Sequence, residues 1–220
     1  MFCLHFPFNL RFDQRIQQIT ESHLKDAVRA SDALGGVAVV MDPHNGDILA
    51  MAQAPSYDPN RYFDFDPKTF SNQAITTVYE PGSTMKPLIV AAAIEEGELD
   101  EDTILPGYGG MFKLGKHVIK DTHPCQEQST LEVIQYSSNI GAIHVGKRLG
   151  VSRVYSYLMN FGFGSKTEIG LSEEQPGNLP NITKMAMKKA EIKAYNWTYG
   201  YGLNVTPLQS ARAISVIANG

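Results

Sequence analysis

The stretch Glu80-Pro81-Gly82-Ser83-Thr84-Met85-Lys86-Pro87 holds a hydroxyl and an amine three positions apart. Pro81-Gly82 enforces a turn, so Ser83 is expected in the first turn of the helix that follows. Unpaired N–H groups and the positive end of the helix dipole favour developing negative charge there. Lys86 then shares the face of Ser83. A serine hydroxyl is a poor nucleophile unless a base takes its proton, and a desolvated lysine at such a helix end loses enough basicity to be that base. The plain alternative makes Ser83 a helix cap and sends Lys86 to water. Against it stands Leu88-Ile89-Val90-Ala91-Ala92-Ala93-Ile94, apolar on every side and therefore the reading of a central, buried helix. A lysine on such a helix needs a reason to be there.

A second group, Tyr136-Ser137-Ser138-Asn139-Ile140-Gly141, begins its hydroxyls 51 positions after Lys86 (137 minus 86). It breaks a helical stretch over 130–149, so Ser137 and Asn139 can both project from a tight bend. The hydroxyl of Ser137 suits a proton relay between Lys86 and a leaving group, and the Asn139 amide suits a substrate carbonyl; an ordinary Ser/Asn turn is the alternative. His117, Asp121, His123 and Cys125 match no common zinc spacing and read as a surface loop, so no metal is expected. Trp197, Tyr199 and Tyr201 read as packing beside a cleft, and Tyr62, Phe63 and Phe65 as loop anchors.

These groups need a scaffold, and the chain supplies α and β signals in separate places. Asp13 is placed to cap a helix through about Ala30, with Ile16, Ile19, Leu24, Ala27 and Val28 on its apolar face, covering a sheet. Gly36-Val37-Ala38-Val39-Val40-Met41-Asp42 and Asp47-Ile48-Leu49-Ala50-Met51-Ala52 form a hairpin about Pro43-His44-Asn45-Gly46. Irregular chain follows over 55–79. Further helices are expected over 130–149 and 151–161, and a last one from the capping box Thr206, Pro207 and Gln209 to Asn219, stopped by Gly220. The fold class is therefore α+β, with an α/β lobe over 10–60 and a mainly helical lobe over 61–220.

The 220 residues carry 19 Lys+Arg against 23 Asp+Glu, a net charge of −4. That balance argues against nucleic-acid and acidic-lipid partners, which need a clustered cationic excess. No stretch reaches the ~18 apolar residues of a spanning helix, and residues 1–10 lack a basic front, so the chain reads as soluble and without a signal segment. Two cysteines, Cys3 and Cys125, are too few to staple this length.

Pro81-Gly82-Ser83-Thr84-Met85-Lys86 followed by Ser137-Ser138-Asn139 resembles the first two motifs of penicillin-binding proteins and serine β-lactamases. Val39-Val40-Met41-Asp42-Pro43, Gly46-Asp47-Ile48-Leu49-Ala50-Met51-Ala52, Phe161-Gly162-Phe163-Gly164 and the run from Tyr199-Gly200-Tyr201-Gly202 to Thr206-Pro207-Leu208-Gln209 narrow the likeness to the class B transpeptidases of septum and elongation synthesis. The resemblance covers 10–220. It implies the penicillin-binding-protein/serine β-lactamase-like transpeptidase fold. It also implies a serine D,D-transpeptidase, free of cofactors, at the periplasmic face of the cell membrane. Ser83 would be acylated by the D-Ala-D-Ala end of peptidoglycan stem peptides, or trapped by β-lactams. Lys86 would be the base, Ser137 the relay and Asn139 a substrate binder. Cell-wall synthesis or divisome proteins would be its partners.

The family's third motif, Lys-Thr-Gly or Lys-Ser-Gly on a strand, has no counterpart here. Lys166-Thr167-Glu168 imitates it, but Glu168 sets a bulky anion where glycine lets a substrate backbone approach, so it reads as a solvated loop. The expectation is a fragment with an incomplete sheet, an exposed strand edge and a missing oxyanion donor. Two other readings stay open. One is a serine β-lactamase, with Glu174 and Asn178 as a water-positioning pair; the other is a non-catalytic β-lactam sensor or degenerate domain.

Overall fold

The computed structural model describes residues 10–183 and 185–220; the readings of residues 1–9, Cys3 among them, lie outside that range. In chain order the elements are α1 (Gln14–Ala30), β1 (Gly36–Met41), β2 (Ile48–Ala54), α2 (Gln73–Thr76), α3 (Lys86–Glu95), β3 (Ile104–Pro106), β4 (Met111–Leu114), β5 (His117–Lys120) and β6 (Glu127–Ser129). The remaining helices are α4 (Thr130–Gln135), α5 (Asn139–Leu149), α6 (Val151–Asn160), α7 (Met187–Trp197) and α8 (Pro207–Asn219). The class is α+β, as expected. Among the described residues no helix is long and apolar enough to cross a membrane.

The chain divides into two compact units, and not at 60/61. One unit takes the residues up to Tyr79, then Phe161–Gly177 and Val205–Gly220; the other takes Glu80–Asn160 and Asn178–Asn204. A contiguous cut was expected because composition cannot register a chain that returns to an earlier unit.

In the first unit, Asp13 caps α1 by accepting the N–H groups of Arg15 and Ile16, both at 2.9 Å. The half-buried positions of α1 are Ile16, Gln17, Thr20, Glu21, Leu24 and Val28, whereas Ile19 and Ala27 are exposed. The expected face was displaced at Ile19 and Ala27: the half-buried positions make two adjacent rows, each advancing four residues at a time along the helix surface. β1 and β2 pair antiparallel from Gly36↔Ala54 to Met41↔Ile48, with an irregularity between Val40 and Met41. Gly46, at φ +76°, supplies the left-handed residue of their turn. β2 alternates cleanly, with Ile48, Ala50, Ala52 and Ala54 buried.

The side chain of Gln17 caps both backbone groups of Met51, donating to its carbonyl at 3.0 Å and accepting its N–H at 2.9 Å. Arg11 and Asp13 donate their N–H groups to Ile48 and Leu49, so the free edge of β2 is partly covered. Among the described residues β1 pairs with β2 alone. Ile48, Ile75, Ile169 and Leu208 form a buried cluster, drawing on all three chain segments of this unit. The Thr206 box holds as expected: Gln209 N–H donates to Thr206 Oγ1 at 3.1 Å, and Thr206 N–H to Gln209 Oε1 at 2.8 Å. The buried Gln209 then donates to the carbonyls of Ser165 and Pro176.

The second unit is built about α3 and α5. Leu88, Ile89, Ala92 and Ala93 of α3 are buried, though Ile94 at its end is 47% exposed. α5 packs on α3, α6 and α7. Not expected from sequence are the β3/β6 pair, the β4–β5 hairpin and α7. Those strands are three or four residues long, too short to display alternation. Trp197 is fully buried and donates its indole N–H to Gly202 O at 3.1 Å.

Candidate active site

Gly82–Met85 is a 3₁₀ turn running straight into α3, so Ser83 lies one turn before the α-helix proper. The turn is tied down from several sides. Thr84 Oγ1 donates to Pro81 O at 2.8 Å, and Gly82 N–H donates to Gly200 O at 3.1 Å. The Glu80 carboxylate accepts Gly202 N–H at 2.8 Å. Gly200, at φ +84°, packs so closely that a Cβ there would overlap the backbone N, C and O of Gly82.

Ser83 is exposed, whereas Lys86 is only 2% exposed. Lys86 Nζ donates to Ser83 Oγ at 3.1 Å, to Ser137 Oγ at 2.8 Å and to the Ser137 carbonyl. Ser137 Oγ lies 2.9 Å from Ser83 Oγ. An ammonium has three protons and these three acceptors use them all. Once neutral, the amine has a lone pair beside Ser83 Oγ and can receive its proton. Burial pushes the Lys86 ammonium down to about 8, with the charge of Asp121 opposing the fall.

Ser137 stands at the bend between α4 and α5 with φ +56°, a left-handed conformation uncommon for a serine. Ser138 is the N-cap of α5 and accepts Gly141 N–H at 2.8 Å. Asn139 opens α5, and its side-chain amide spends one of its two N–H groups on Lys120 O at 3.3 Å. The four residues singled out from sequence thus all lie in the second unit, with Ser83, Lys86 and Ser137 in mutual contact and Asn139 two positions beyond.

Asp121 is not a surface-loop residue. Its carboxylate accepts Ser138 Oγ–H at 2.5 Å, Asn139 N–H at 2.7 Å and Ile140 N–H at 3.2 Å. Sequence grouped it with His117, His123 and Cys125 because they are close in number; its hydrogen bonds go instead to the start of α5, although its charge still reaches the Cys125 thiol. His123 lies against the Tyr136 ring at 5.6 Å, and burial pushes the Cys125 thiol up. Among the described residues no three His, Cys, Asp or Glu side chains come together to hold a metal.

The solvated-loop reading of 166–168 needs correction. Lys166 and Glu168 are exposed, but Thr167 is buried and donates its N–H and hydroxyl to Glu174 Oε1 at 2.6 and 2.5 Å. Glu174 is thus engaged inside the first unit by Thr167 and by the charge of Arg212, in structure rather than in positioning water. Asn178 belongs to the other unit, where its backbone pairs with that of Asn204.

The model of the penicillin binding protein transpeptidase domain matches residues 36–220. The peptidoglycan D,D-transpeptidase FtsI of Escherichia coli (strain K12) is 34% identical over 210 residues, 96% of this chain and 35% of the relative. Stage V sporulation protein D of Bacillus subtilis (strain 168) is 33% identical over 222 residues, covering 96% and 32%. Among solved structures, a peptidoglycan glycosyltransferase from Burkholderia ambifaria superposes with a TM-score of 0.84 at 30% identity, over 96% of this chain and 61% of the other. The transpeptidase domain of penicillin-binding protein 3 from Burkholderia pseudomallei gives 0.83 at 30% identity, over 96% and 58%. The chain spans about a third of the length of these curated relatives.

Proposed function

This chain belongs to the penicillin-binding-protein transpeptidase-domain family, and on that premise we propose that it carries the acylating centre of a class B peptidoglycan D,D-transpeptidase with Ser83 as nucleophile. The observation that supports this reading is the buried Lys86 amine, in contact with two serine hydroxyls, beneath an exposed Ser83.

In the proposed reaction, Ser83 Oγ attacks the carbonyl of the penultimate D-Ala while its proton passes to neutral Lys86. The N–H of Ser83, in the first turn, is assigned to the developing oxyanion. Collapse breaks the peptide bond, and the leaving D-Ala amine takes a proton from Lys86 through Ser137 Oγ. The Ser83 ester is then attacked by an amine of a neighbouring stem peptide, which gives a proton to Lys86; the new amide bond forms as the ester C–O bond breaks, and Ser83 Oγ takes that proton back from Lys86. Asn139 is assigned to hold the stem peptide. A β-lactam would open on the same hydroxyl and stay. The substrate puts this chemistry on the outer face of the cell membrane.

The test is covalent labelling of the purified protein with a fluorescent penicillin, read by gel and intact mass. One adduct per chain, absent from Ser83→Ala, is expected; a label that persists in Ser83→Ala overturns the assignment. Steady hydrolysis of a coloured cephalosporin, rather than one-equivalent trapping, would favour a β-lactamase instead.

A further inference from the structure

Ser137 owes its place to a conformation that a serine does not adopt readily, and something must hold it there. The segment immediately after it is pinned on several sides. Ser138 Oγ accepts Gly141 N–H at 2.8 Å and Gln128 Nε2–H at 2.9 Å, so its single proton is committed to Asp121 Oδ2, 2.5 Å away. Asp121 Oδ1 takes the next two donors, the N–H groups of Asn139 and Ile140, at 2.7 and 3.2 Å. The carboxylate therefore gathers three donors at the start of α5. It is itself placed by the β4–β5 hairpin, which it directly follows, and its own N–H donates to Gly110 O at 3.1 Å. Nothing bulkier than glycine fits beneath this cap: a Cβ at Gly141 would overlap Val133 and crowd Gln128 and Ser138.

We propose that Asp121 is the positioning residue of this site: by clamping Ser138 and the first N–H groups of α5, it keeps Ser137 left-handed, with hydroxyl and carbonyl both turned to Lys86. This rests on the reading of Ser83 as the acylated group. Asp121 touches no reacting atom and acts through Ser137. It has a second, electrostatic link to the same centre, since of the surrounding charges it is Asp121 that acts on the Lys86 ammonium and favours its protonated form.

Acylation by a fluorescent penicillin, followed against pH in wild type, Ser138→Ala and Asp121→Asn, separates the two links. Ser138→Ala removes a clamped donor but leaves the charge, so the plateau rate should fall about tenfold with the pH midpoint unmoved. Asp121→Asn should lower the plateau on the order of 100-fold, the scale of a small misplacement of reacting groups. It should also move the midpoint to lower pH, because the charge that favoured the ammonium is gone. A crystal structure of Asp121→Asn should show Ser137 released from positive φ. Wild-type plateaus in both variants, or Ser137 still left-handed on Lys86 without the carboxylate, would overturn the proposal. So would a rate that falls only in step with the folded fraction. Should Asp121→Asn fail to fold, Ser138→Ala decides alone. Failure of the acylation reading has a different signature, label persisting in Ser83→Ala, and the Ser137 geometry in the crystal then still tests the clamp.

Discussion

Lys86 Nζ and Ser137 Oγ are 2.8 Å apart, although 51 positions separate them in the chain. The amine is buried and the hydroxyl exposed, so the contact joins a dry amine to a wet hydroxyl. Both groups donate to Ser83 Oγ, and Lys86 Nζ can accept the Ser83 proton once it has lost its own.

The acylation rate should therefore rise with pH as Lys86 loses its proton, with a midpoint near 8. Lys86→Ala should lower the high-pH plateau rate by about 10² to 10⁴, the usual scale for a general base, and flatten the pH dependence. Stopped-flow labelling between pH 6 and 10 checks both. The same shift bears on stability. Between about 8 and the ordinary value of 10.5, the unfolded chain holds a proton that the folded chain has released. Stability should thus increase with pH across that window, by up to roughly 3 kcal/mol. In Lys86→Met the increase should vanish from urea unfolding curves.

Gly200→Ala should damage the site through the backbone of Gly82. Its Cβ would overlap Gly82, and the turn that carries Ser83 would have to move. The expected loss of acylation is about 100-fold, with a few kcal/mol of stability. Gly97→Ala is the control, since Gly97 is also left-handed, at φ +67°, but faces open space. It should cost about 1–2 kcal/mol and leave the labelling rate unchanged. Equal loss of labelling in both would show that strain, not contact, governs the turn.

His144 should make the second unit acid-sensitive. Its ring packs against both Tyr108 and Phe112, at 5.4 and 5.2 Å, and its buried Nε2 has no partner among the described residues. Burial, helped by Lys147 and Arg148, pushes it down to about 4. Below its ordinary value of 6.5 the unfolded chain takes up a proton that the folded chain refuses. Stability should accordingly be lost as pH falls from about 6.5 to about 4, by up to roughly 3 kcal/mol. His144→Phe keeps an aromatic ring and should flatten the dependence; guanidinium unfolding at pH 7 and pH 4.5 would reveal it.

Much of this was written locally. Ser83 and Lys86 share a face because three residues make most of a helical turn, and Asp13, Thr206 and Gln209 cap their helices through bonds spanning two or three positions. The β1–β2 hairpin and the break at Ser137 follow from equally short-range turn chemistry. Such features depend on residue type and spacing within four or five positions, which is what a sequence displays.

The site itself needed distance in the chain to be undone. That Asp121 turns inward rather than to water depends on Ser138, Asn139 and Ile140 presenting donors together, and a carboxylate's preference for solvent gives no hint of it. The burial of Thr167 rests likewise on Glu174, and the place of Gly82 on Gly200. Amino-acid order determined which groups can react and which helices present them. Tertiary packing decided which distant partners they meet, because burial and hydrogen-bond satisfaction belong to the folded surroundings and not to any residue taken singly.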